Sequence, residues 1–560
     1  MRKNLIAMSA AAFVGGLGMA GGATAAVFID VLGPNSNATA ETVIPGGIGH
    51  QLIIPYYNTQ SGNATLFNLV NTDTVNGKAV KMRFRGASNS DDVFDFQVYL
   101  SPTDVWTATL TRGADGRTVL TTTDKSCTIP AVISGTAFVT ARLPQTFTAD
   151  NLAAQTREGY IEMFNMADVP PTATGDNTLF RAIKHVSGVA PCSGGATAAE
   201  ALANAAAITA LQNDPPTVAA ARTLGFRAPS TGLFANWTII NVPKSGAASG
   251  EATAIAATIG VNGPNGNGNI VFFPQVGGAA TTPDNFTADP ALRTIAGLGA
   301  NDVQNGSGGA FVTAVGVTPT TPIVAASFFD LPDLSTPYLS NLVLGPAAPI
   351  AQAESLTRAL AVTNVINEFL GDTSITANTD WVFSLPVRRY SVALDYRPMS
   401  LSPAALPVRA FTKFINRDYF TGGNTSVRNT QICVTTTGVT FYDREEGTVV
   451  GTQFVISPNP PTPQFALCGE AAVLGFNASA GQSVLGSEIA FTNVTTSVRD
   501  GWARVGTPGL TSGIQGDAGG NGLPILGKAY IRASNPAVSA GIAANFGVSY
   551  EHRYNRPATP

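Results

Sequence analysis

Two runs, Val80-Lys81-Met82-Arg83-Phe84-Arg85 and Phe94-Asp95-Phe96-Gln97-Val98-Tyr99-Leu100, decide the fold of this chain. In both runs the even-numbered positions are apolar, and in the first run the odd-numbered positions are basic. Successive side chains of a β-strand point to opposite faces, so this alternation predicts two strands with one apolar face each. Because residues 86–92 are rich in turn-forming side chains, the two strands are predicted to form an antiparallel hairpin.

The predicted hairpin has a definite register. It places these residues opposite each other: Phe84 and Phe94, Met82 and Phe96, and Arg83 and Asp95. Directly opposite side chains contact each other across paired strands. We therefore expect the aromatic pairs to join the core and the charged pair, on the other face, to meet water.

Apolar runs of strand length alternate with Gly, Asn, Asp and Pro along the rest of the chain, a pattern typical of antiparallel β-structure. Residues 196–211 are rich in alanine and, with residues 217–224, predict short helices. Apolar residues also recur at helical spacing from Leu356 to Phe369. The sequence therefore predicts a mainly β fold of several antiparallel β-sandwich-like domains with short Ala-rich helical insertions.

A chain of 560 residues is long enough for more than one domain. The changes of pattern predict the following organisation: a signal peptide at 1–25, an N-terminal β domain at 26–190, a helical insertion at 191–231, a central β unit at 232–345, a helical connector at 346–372 and a C-terminal β domain at 373–560.

The N-terminus has the pattern of a secretory signal peptide. Arg2 and Lys3 precede a mainly apolar stretch from Leu5 to Ala20, and Ala23-Thr24-Ala25 fits a cleavage site. The stretch is shorter and richer in small residues than a spanning helix. We therefore expect an exported mature chain that begins at Ala26.

Four cysteines are present, Cys127, Cys192, Cys433 and Cys468. An even number in an oxidising compartment predicts two disulfides, for which three pairings exist. We favour Cys127 with Cys192 and Cys433 with Cys468, because each bridge then closes a loop within one half of the chain. A metal site is the rival interpretation, which the lack of a Cys-x-x-Cys pair disfavours.

Charged residues are only 12% of the chain, against about 25% in typical soluble domains. The formal net charge is −4, which disfavours a nucleic-acid partner because nucleic acids require clustered Lys and Arg. A weakly charged surface repels copies of itself little, so the composition favours self-association. A secreted monomer with a Thr- and Asn-rich β surface explains the same composition equally well.

The connection of the predicted hairpin contains the densest cluster of hard oxygen ligands in the chain. Asn89, Asp91 and Asp92 are the candidate ligands, and calcium is the ion that such oxygens favour. Their spacing matches no established calcium motif. A solvated turn explains the same residues, because Asn and Asp favour turns for local reasons.

No segment carries a recognised catalytic or cofactor motif. His50, His185 and His552 are the three histidines, and each has a structural interpretation that we favour. Glu445 and Glu446 are adjacent, so in a strand they would point to opposite faces and could not form the carboxylate pair of a glycosidase. We therefore expect no enzymatic activity and no cofactor other than calcium.

Several segments resemble exported cell-surface proteins of Gram-negative bacteria. The stretches that carry the resemblance are residues 49–57 (GHQLIIPYY), 68–73 (NLVNTD), 95–106 (DFQVYLSPTDVW), 379–386 (TDWVFSLP) and the ending through His552-Arg553-Tyr554. The resemblance implies a structural protein of the cell surface or outer envelope, such as a subunit of a surface layer or another envelope assembly. Its implied partners are copies of itself, with an outer-membrane or envelope component as a further partner.

The expected function is therefore structural and self-assembling. An adhesin or ligand-binding surface module is the nearest alternative. The remaining alternatives are an outer-membrane β-barrel and a secreted hydrolase. The alternation of residues 542–554 is also typical of a barrel strand.

Overall fold

The structure is a computed structural model. It describes residues 26–28, 38–131, 133–140, 143, 147–172, 175–212, 217–260, 263–272, 313–314, 355–390, 392–394, 411–413, 425–428, 430–450, 465–477, 483–494, 496–507, 522–539 and 542–556. The predicted signal peptide at 1–25 and residues 273–312 and 315–345 of the predicted central unit lie outside these ranges.

The described part of the first half is built mostly of strands. They are β1 (Ala26–Phe28), β2 (Ala40–Val43), β3 (Gln51–Asn58), β4 (Asn63–Asn71), β5 (Gly77–Gly86), β6 (Asp92–Leu100), β7 (Val105–Arg112), β8 (Thr118–Thr121), β9 (Cys127–Ile129), β10 (Thr136–Ala137), β11 (Glu158–Val169), β12 (Leu233–Phe234), β13 (Asn236–Asn241), β14 (Gly246–Glu251), β15 (Thr253–Thr258) and β16 (Ile270–Phe272). The helices are α1 (Ala149–Gln155), α2 (Thr178–Ile183), α3 (Ala198–Ala210) and α4 (Val218–Thr223).

The second half is also β-rich. Its strands are β17 (Thr313–Ala314), β18 (Ala361–Val362), β19 (Asn364–Leu370), β20 (Asn378–Ser384), β21 (Val392–Leu394), β22 (Phe411–Lys413), β23 (Thr425–Arg428), β24 (Gln431–Thr435), β25 (Gly438–Tyr442), β26 (Thr448–Val450), β27 (Ala466–Cys468), β28 (Ala471–Asn477), β29 (Phe491–Asn493), β30 (Asp500–Gly506), β31 (Leu523–Pro524), β32 (Leu526–Ser539), β33 (Ile542–Glu551) and β34 (Arg553–Asn555). Short 3-10 turns lie at Thr373–Ile375 and Arg388–Tyr390.

Two antiparallel sheets form a first sandwich. Sheet 1 has the order β2-β15-β3-β11-β5-β6-β9, and sheet 2 has the order β10-β8-β7-β4-β13-β14, with β12 beside β4. The core between them is aromatic and aliphatic, and its main members are Leu52, Ile54, Phe67, Met82, Phe84, Phe94, Phe96, Trp106, Leu110, Ile161 and Trp237. The predicted mainly β, antiparallel fold is confirmed in this region.

The predicted hairpin register is confirmed. In β5 and β6, Phe84 lies opposite Phe94, Met82 opposite Phe96, and Arg83 opposite Asp95. The expectation that the charged face meets water is wrong, because Lys81, Arg83 and Asp95 are all 0% exposed. Both faces of sheet 1 are covered.

Helices cover one part of this second face. Leu179 and Phe180 of α2 and Leu211 at the end of α3 pack with Phe164 and Met166 of β11. The predicted helices at 196–211 and 217–224 are confirmed as α3 and α4. Each begins at a threonine whose hydroxyl accepts a hydrogen bond from the backbone of the first turn, as expected for an N-cap.

The helix predicted from Leu356 to Phe369 is wrong beyond residue 360. Residues 355–360 are helical, but β18 and β19 follow immediately. In β19, Val365, Asn367 and Phe369 point inward at the period of a strand. Strand pairing with β30 along the whole of β19 decided the conformation, and a tertiary contact of this kind is not visible in local periodicity.

A second sandwich contains most of the described C-terminal half. Sheet 3 has the order β29-β28-β20-β32-β33, antiparallel except for the parallel pair β28 and β29, and sheet 4 has the order β26-β25-β30-β19-β34. Trp381, Phe369 and Phe441 lie in the core between them. The opposite face of sheet 3 contributes Val382 and Tyr530 to the core of the first sandwich. The two sandwiches therefore share buried apolar surface, and the predicted domain boundaries stay predictions.

Both predicted disulfides are confirmed. Cys127 bonds to Cys192 and Cys433 bonds to Cys468, with Cα–Cα distances of 5.6 and 3.9 Å. The second pair joins directly opposite positions of β24 and β27. Among the helices in the described ranges, none has the length and apolar character needed to span a membrane.

Candidate functional site

Two of the predicted calcium ligands, Asn89 and Asp91, lie between β5 and β6, and Asp92 is the first residue of β6. They are not in a solvated turn. Asn89, Asp91 and Asp92 are only 2%, 6% and 5% exposed. The Asn89 amide donates to the Thr430 carbonyl at 2.6 Å, and Asp92 Oδ2 lies 3.8 Å from Arg85 Nη1. Within the described residues, no group of three or more His, Cys, Asp and Glu side chains is placed to hold a metal ion. Calcium here stays a prediction, and it fails if added calcium leaves the Tm of the purified protein unchanged.

The second face of sheet 1 carries a layer of buried charged side chains, which we call the ionic layer. Its members are Lys81, Arg83, Arg85, Asp95 and Glu162 from sheet 1, and Arg388, Arg389 and Glu470 from the C-terminal half. Lys81 forms an ion pair with Asp95. Burial lowers the pKa of Lys81, and the Asp95 carboxylate opposes this shift. The side chains of the ionic layer are closed to solvent.

The turn after β20 inserts two arginines into the ionic layer. Arg389 Nη2 lies 2.7 Å from Glu162 Oε1, and Arg388 Nε lies 3.0 Å from Glu470 Oε1. Arg85 Nε approaches the other oxygen of Glu162 at 3.3 Å. A buried charge is costly without a partner. The Arg389–Glu162 pair therefore ties the C-terminal half to sheet 1.

A second polar junction surrounds the carboxylate of Glu158 at the start of β11. Five donors converge on it: the Tyr56 hydroxyl at 2.8 Å, the Ser487 hydroxyl at 2.6 Å, the backbone amides of Glu488 at 2.7 Å and Ile489 at 2.9 Å, and the Gln60 amide. Glu158 is fully buried. Because three donors belong to residues 487–489 and two to β3 and the residues just after it, the carboxylate joins the two halves of the chain.

Two histidines are buried and hydrogen-bonded through both ring nitrogens. His552 Nε2 lies 2.8 Å from the Val382 carbonyl, and Nδ1 lies 3.0 Å from the Asn367 amide nitrogen. A carbonyl oxygen can only accept a hydrogen bond, so Nε2 of the ring carries the proton. Nδ1 then accepts a hydrogen bond from the Asn367 amide. Burial lowers the pKa of His552 to about 4 and that of His50 to about 3. Both rings are therefore neutral at neutral pH, and both are buried.

Acidification is expected to destabilise the protein through His552. The unfolded ring titrates at about 6.5, whereas the folded ring stays neutral until the pH approaches 4. Its contribution to stability is therefore complete above pH 6.5 and is lost as the pH falls toward 4. At about pH 5 the loss amounts to about 2 kcal/mol. Urea unfolding of the unaltered protein and of His552→Gln, each at about pH 7 and about pH 5, measures this loss of stability.

The difference between the unaltered protein and His552→Gln isolates the contribution of His552 to the pH dependence of stability. Burial raises the pKa of Asp380 to about 6, which acts in the opposite direction, because the folded state then binds a proton before the unfolded chain does. That contribution is common to both proteins and cancels in the difference. An equal pH dependence for the protein and for His552→Gln would contradict the assignment.

The third histidine lies near a serine and an aspartate without forming a catalytic triad. Ser101 Oγ and Asp104 Oδ2 lie 3.2 and 3.3 Å from the same nitrogen, Nδ1 of His185. A triad requires the nucleophile and the carboxylate on opposite ring nitrogens. This arrangement supports no proton relay from Ser101 through the ring to Asp104.

The outward face of sheet 2 is almost free of charge. Its outward positions are Ala64, Leu66, Asn68, Val70, Val105, Thr107, Thr109, Thr111, Val119, Thr121, Asn236, Thr238, Ile240, Ala247, Ser249 and Glu251. Of these positions only Glu251, at the end of the edge strand β14, is charged. Leu66 and Val105 are 36% and 46% exposed. We call this surface the threonine face.

Sequence reasoning missed the ionic layer, the Glu158 junction and the threonine face. The alternation of β5 located the charged residues of the layer but carried no sign of what covers them. The threonine face did have a signal, since Thr107, Thr109 and Thr111 recur at alternate positions of one predicted strand. Comparison with protein-family models, with curated proteins and with solved structures finds no match to this chain.

Proposed function

We propose that this chain is a structural protein of the bacterial cell surface that assembles with copies of itself, as a subunit of a surface layer or another envelope assembly. The observation that carries the proposal is the threonine face. Two disulfides support an exported location, because such bonds persist in oxidising compartments. The low charge of the whole chain supports close packing of copies.

The threonine face favours a second copy over an unrelated partner. Hydroxyl and carboxamide groups each donate and accept hydrogen bonds, so a surface built of Thr and Asn is complementary to itself. The exposed Leu66 and Val105 add apolar area to the same face. With Glu251 at one margin as its sole charge, two such faces approach each other without repulsion.

Electron microscopy of the purified mature protein tests the proposal. We expect ordered sheets or fibres at high concentration, and we expect Thr107→Lys combined with Asn236→Lys to abolish them, because each contact would then bury unpaired charge. Both positions are exposed and lie on strands separated by β4, so the fold should tolerate the change.

Leu202→Lys is the matched control. Leu202 is 74% exposed on α3, away from the threonine face, and this variant should assemble like the unaltered protein. Persistent monomers of the unaltered protein without order would overturn self-assembly. Assembly of the double lysine variant would show that the threonine face is not the contact surface.

A further inference from the structure

A groove lies at the corner where sheets 3 and 4 meet. It encloses about 690 Å³, within the size range of ligand sites, and Glu368, Asp443, Trp502, Val548, Tyr550 and Arg553 are among its lining residues. The groove is a different surface from the threonine face, because it belongs to different sheets. It also combines aromatic with charged side chains.

The groove exists because β34 covers only part of β19. Their pairing ends at Ile366 opposite Arg553, so among the described strands the remainder of β19 has no partner on that side. Hydrogen bonds that involve side chains hold this part of β19 instead. Trp381 Nε1 donates to the Glu368 carbonyl at 2.9 Å, and the Asn367 amide donates to the Tyr550 carbonyl at 3.1 Å. These hydrogen bonds hold the backbone of β19 and β33 where the two strands line the groove.

An aromatic platform forms one wall. Trp502 of β30 lies directly opposite Tyr442 of β25, and their rings stack at a centroid distance of 3.9 Å and an interplanar angle of 9°. Trp502 is nevertheless 37% exposed. Since Tyr442 covers one face of the indole, the exposed area belongs to the other face and the ring edge. Stacking also limits the rotation of the indole, so little ordering is required on binding.

Polar groups flank the platform. Glu368 lies directly opposite Trp502 on the neighbouring strand. Its carboxylate is exposed and has no hydrogen-bond or ion-pair partner among the described residues. Glu551 is ion-paired with Lys528, and Arg553 is exposed on β34. The groove thus offers carboxylates, which accept hydrogen bonds from hydroxyl groups, and a guanidinium, which donates to them. Both lie beside a flat apolar surface.

We propose that this groove binds a neutral oligosaccharide of hexopyranose units. The C–H face of a pyranose ring is apolar and packs on an indole, while the equatorial hydroxyls donate to a carboxylate and accept from a guanidinium. A strongly charged ligand would meet a like charge in this groove, because carboxylates and guanidiniums both line it. Saccharide binding goes beyond self-assembly and does not depend on it.

Tryptophan fluorescence gives a direct measurement on the unaltered protein. The chain has four tryptophans, and Trp106, Trp237 and Trp381 are at most 1% exposed. Acrylamide quenching of the folded protein therefore reports Trp502. We expect cellohexaose, maltohexaose or chitohexaose to protect it from quenching in a saturable manner.

Calorimetric titration of variants with the protecting saccharide locates the site. We expect Trp502→Ala to weaken binding by about tenfold or more, and Glu368→Gln to weaken it severalfold with an unchanged Tm. Tyr554→Ala is the matched control, because Tyr554 is an aromatic of similar exposure, 43%, on β34 of the same sheet and does not line the groove. This variant should bind like the unaltered protein.

Three results would overturn the proposal. The first is that none of the three saccharides protects Trp502 at millimolar concentration. The second is full binding by folded Trp502→Ala or by Glu368→Gln. The third is protection of Trp502 that rises with protein concentration in the absence of saccharide, which would assign the groove to a contact between copies.

Discussion

Replacing Glu158 by alanine is expected to lower the free energy of unfolding by about 5 kcal/mol or more, the largest effect of any single substitution considered for this chain. The reason is the number of donors that the carboxylate satisfies. Tyr56, Gln60, Ser487 and the backbone amides of Glu488 and Ile489 all donate to it in a site without solvent. Each buried donor left without an acceptor costs about 1 to 3 kcal/mol.

The isosteric variant Glu158→Gln should lose much less, about 2 kcal/mol. Its amide oxygen can occupy the place of Oε1, which accepts from Gln60 and from the two backbone amides. Its NH2 group then faces the hydroxyls of Tyr56 and Ser487. Those hydroxyls can accept a hydrogen bond, but they lose the acceptor for their own protons.

Urea unfolding of both variants measures the difference, with Glu445→Ala as the control. Glu445 is exposed in the turn after β25, so its replacement should change stability by no more than about 0.5 kcal/mol. If Glu158→Ala fails to fold, Glu158→Gln still decides the matter. A loss as small for Glu158→Ala as for Glu445→Ala would contradict the role assigned to this carboxylate.

The hairpin shows how far the sequence alone leads. Its alternation determined the strand type, the apolar face and the register of β5 and β6, because each of these depends only on residues close in sequence. The same alternation gave the wrong environment for the charged face. Among the described residues, α2 to α4 and the arginines after β20 cover parts of the second face of sheet 1. Arg388 and Arg389 contact Ser88 and Ser90 across about 300 positions of the chain, and no local pattern records such a contact.

β19 shows that a local pattern can fit two kinds of secondary structure. Val362, Ile366 and Phe369 recur at helical spacing, but Val365, Asn367 and Phe369 recur at the spacing of a strand. Two periods fit the same short segment, and pairing with β30 selected the second. The groove was beyond prediction for a related reason, since Trp502, Glu368 and Tyr550 come from three strands that only the fold brings together.

Replacing Glu162 by alanine is expected to cost about 3 to 5 kcal/mol. Glu162 is fully buried and provides one oxygen to Arg389 at 2.7 Å and the other to Arg85 at 3.3 Å. Without it, both guanidiniums lose their contact with this carboxylate and remain inside the protein. Desolvated charge of this kind is costly because the surroundings cannot replace the hydration of the ion.

The exposed pair of Asp115 and Arg117 is the matched control. Its carboxylate and guanidinium lie 2.7 Å apart, but the side chains are 47% and 34% exposed. Since water solvates both groups when the pair is broken, Asp115→Asn should cost less than about 1 kcal/mol. The same ion-pair chemistry thus has two expected outcomes, and the difference in burial is the main reason for the difference in cost.

A double-mutant cycle with Glu162→Gln and Arg389→Gln separates the pair from the rest of the ionic layer. We expect a coupling energy above about 1 kcal/mol, because the two side chains interact in a site of low effective dielectric. Arg389 also donates to the Tyr160 hydroxyl and to the Pro386 carbonyl, and the cycle cancels those contacts. A coupling energy near zero would mean that contacts other than the one with Glu162 hold Arg389, and that the ionic layer does not tie the C-terminal half to sheet 1 through Glu162.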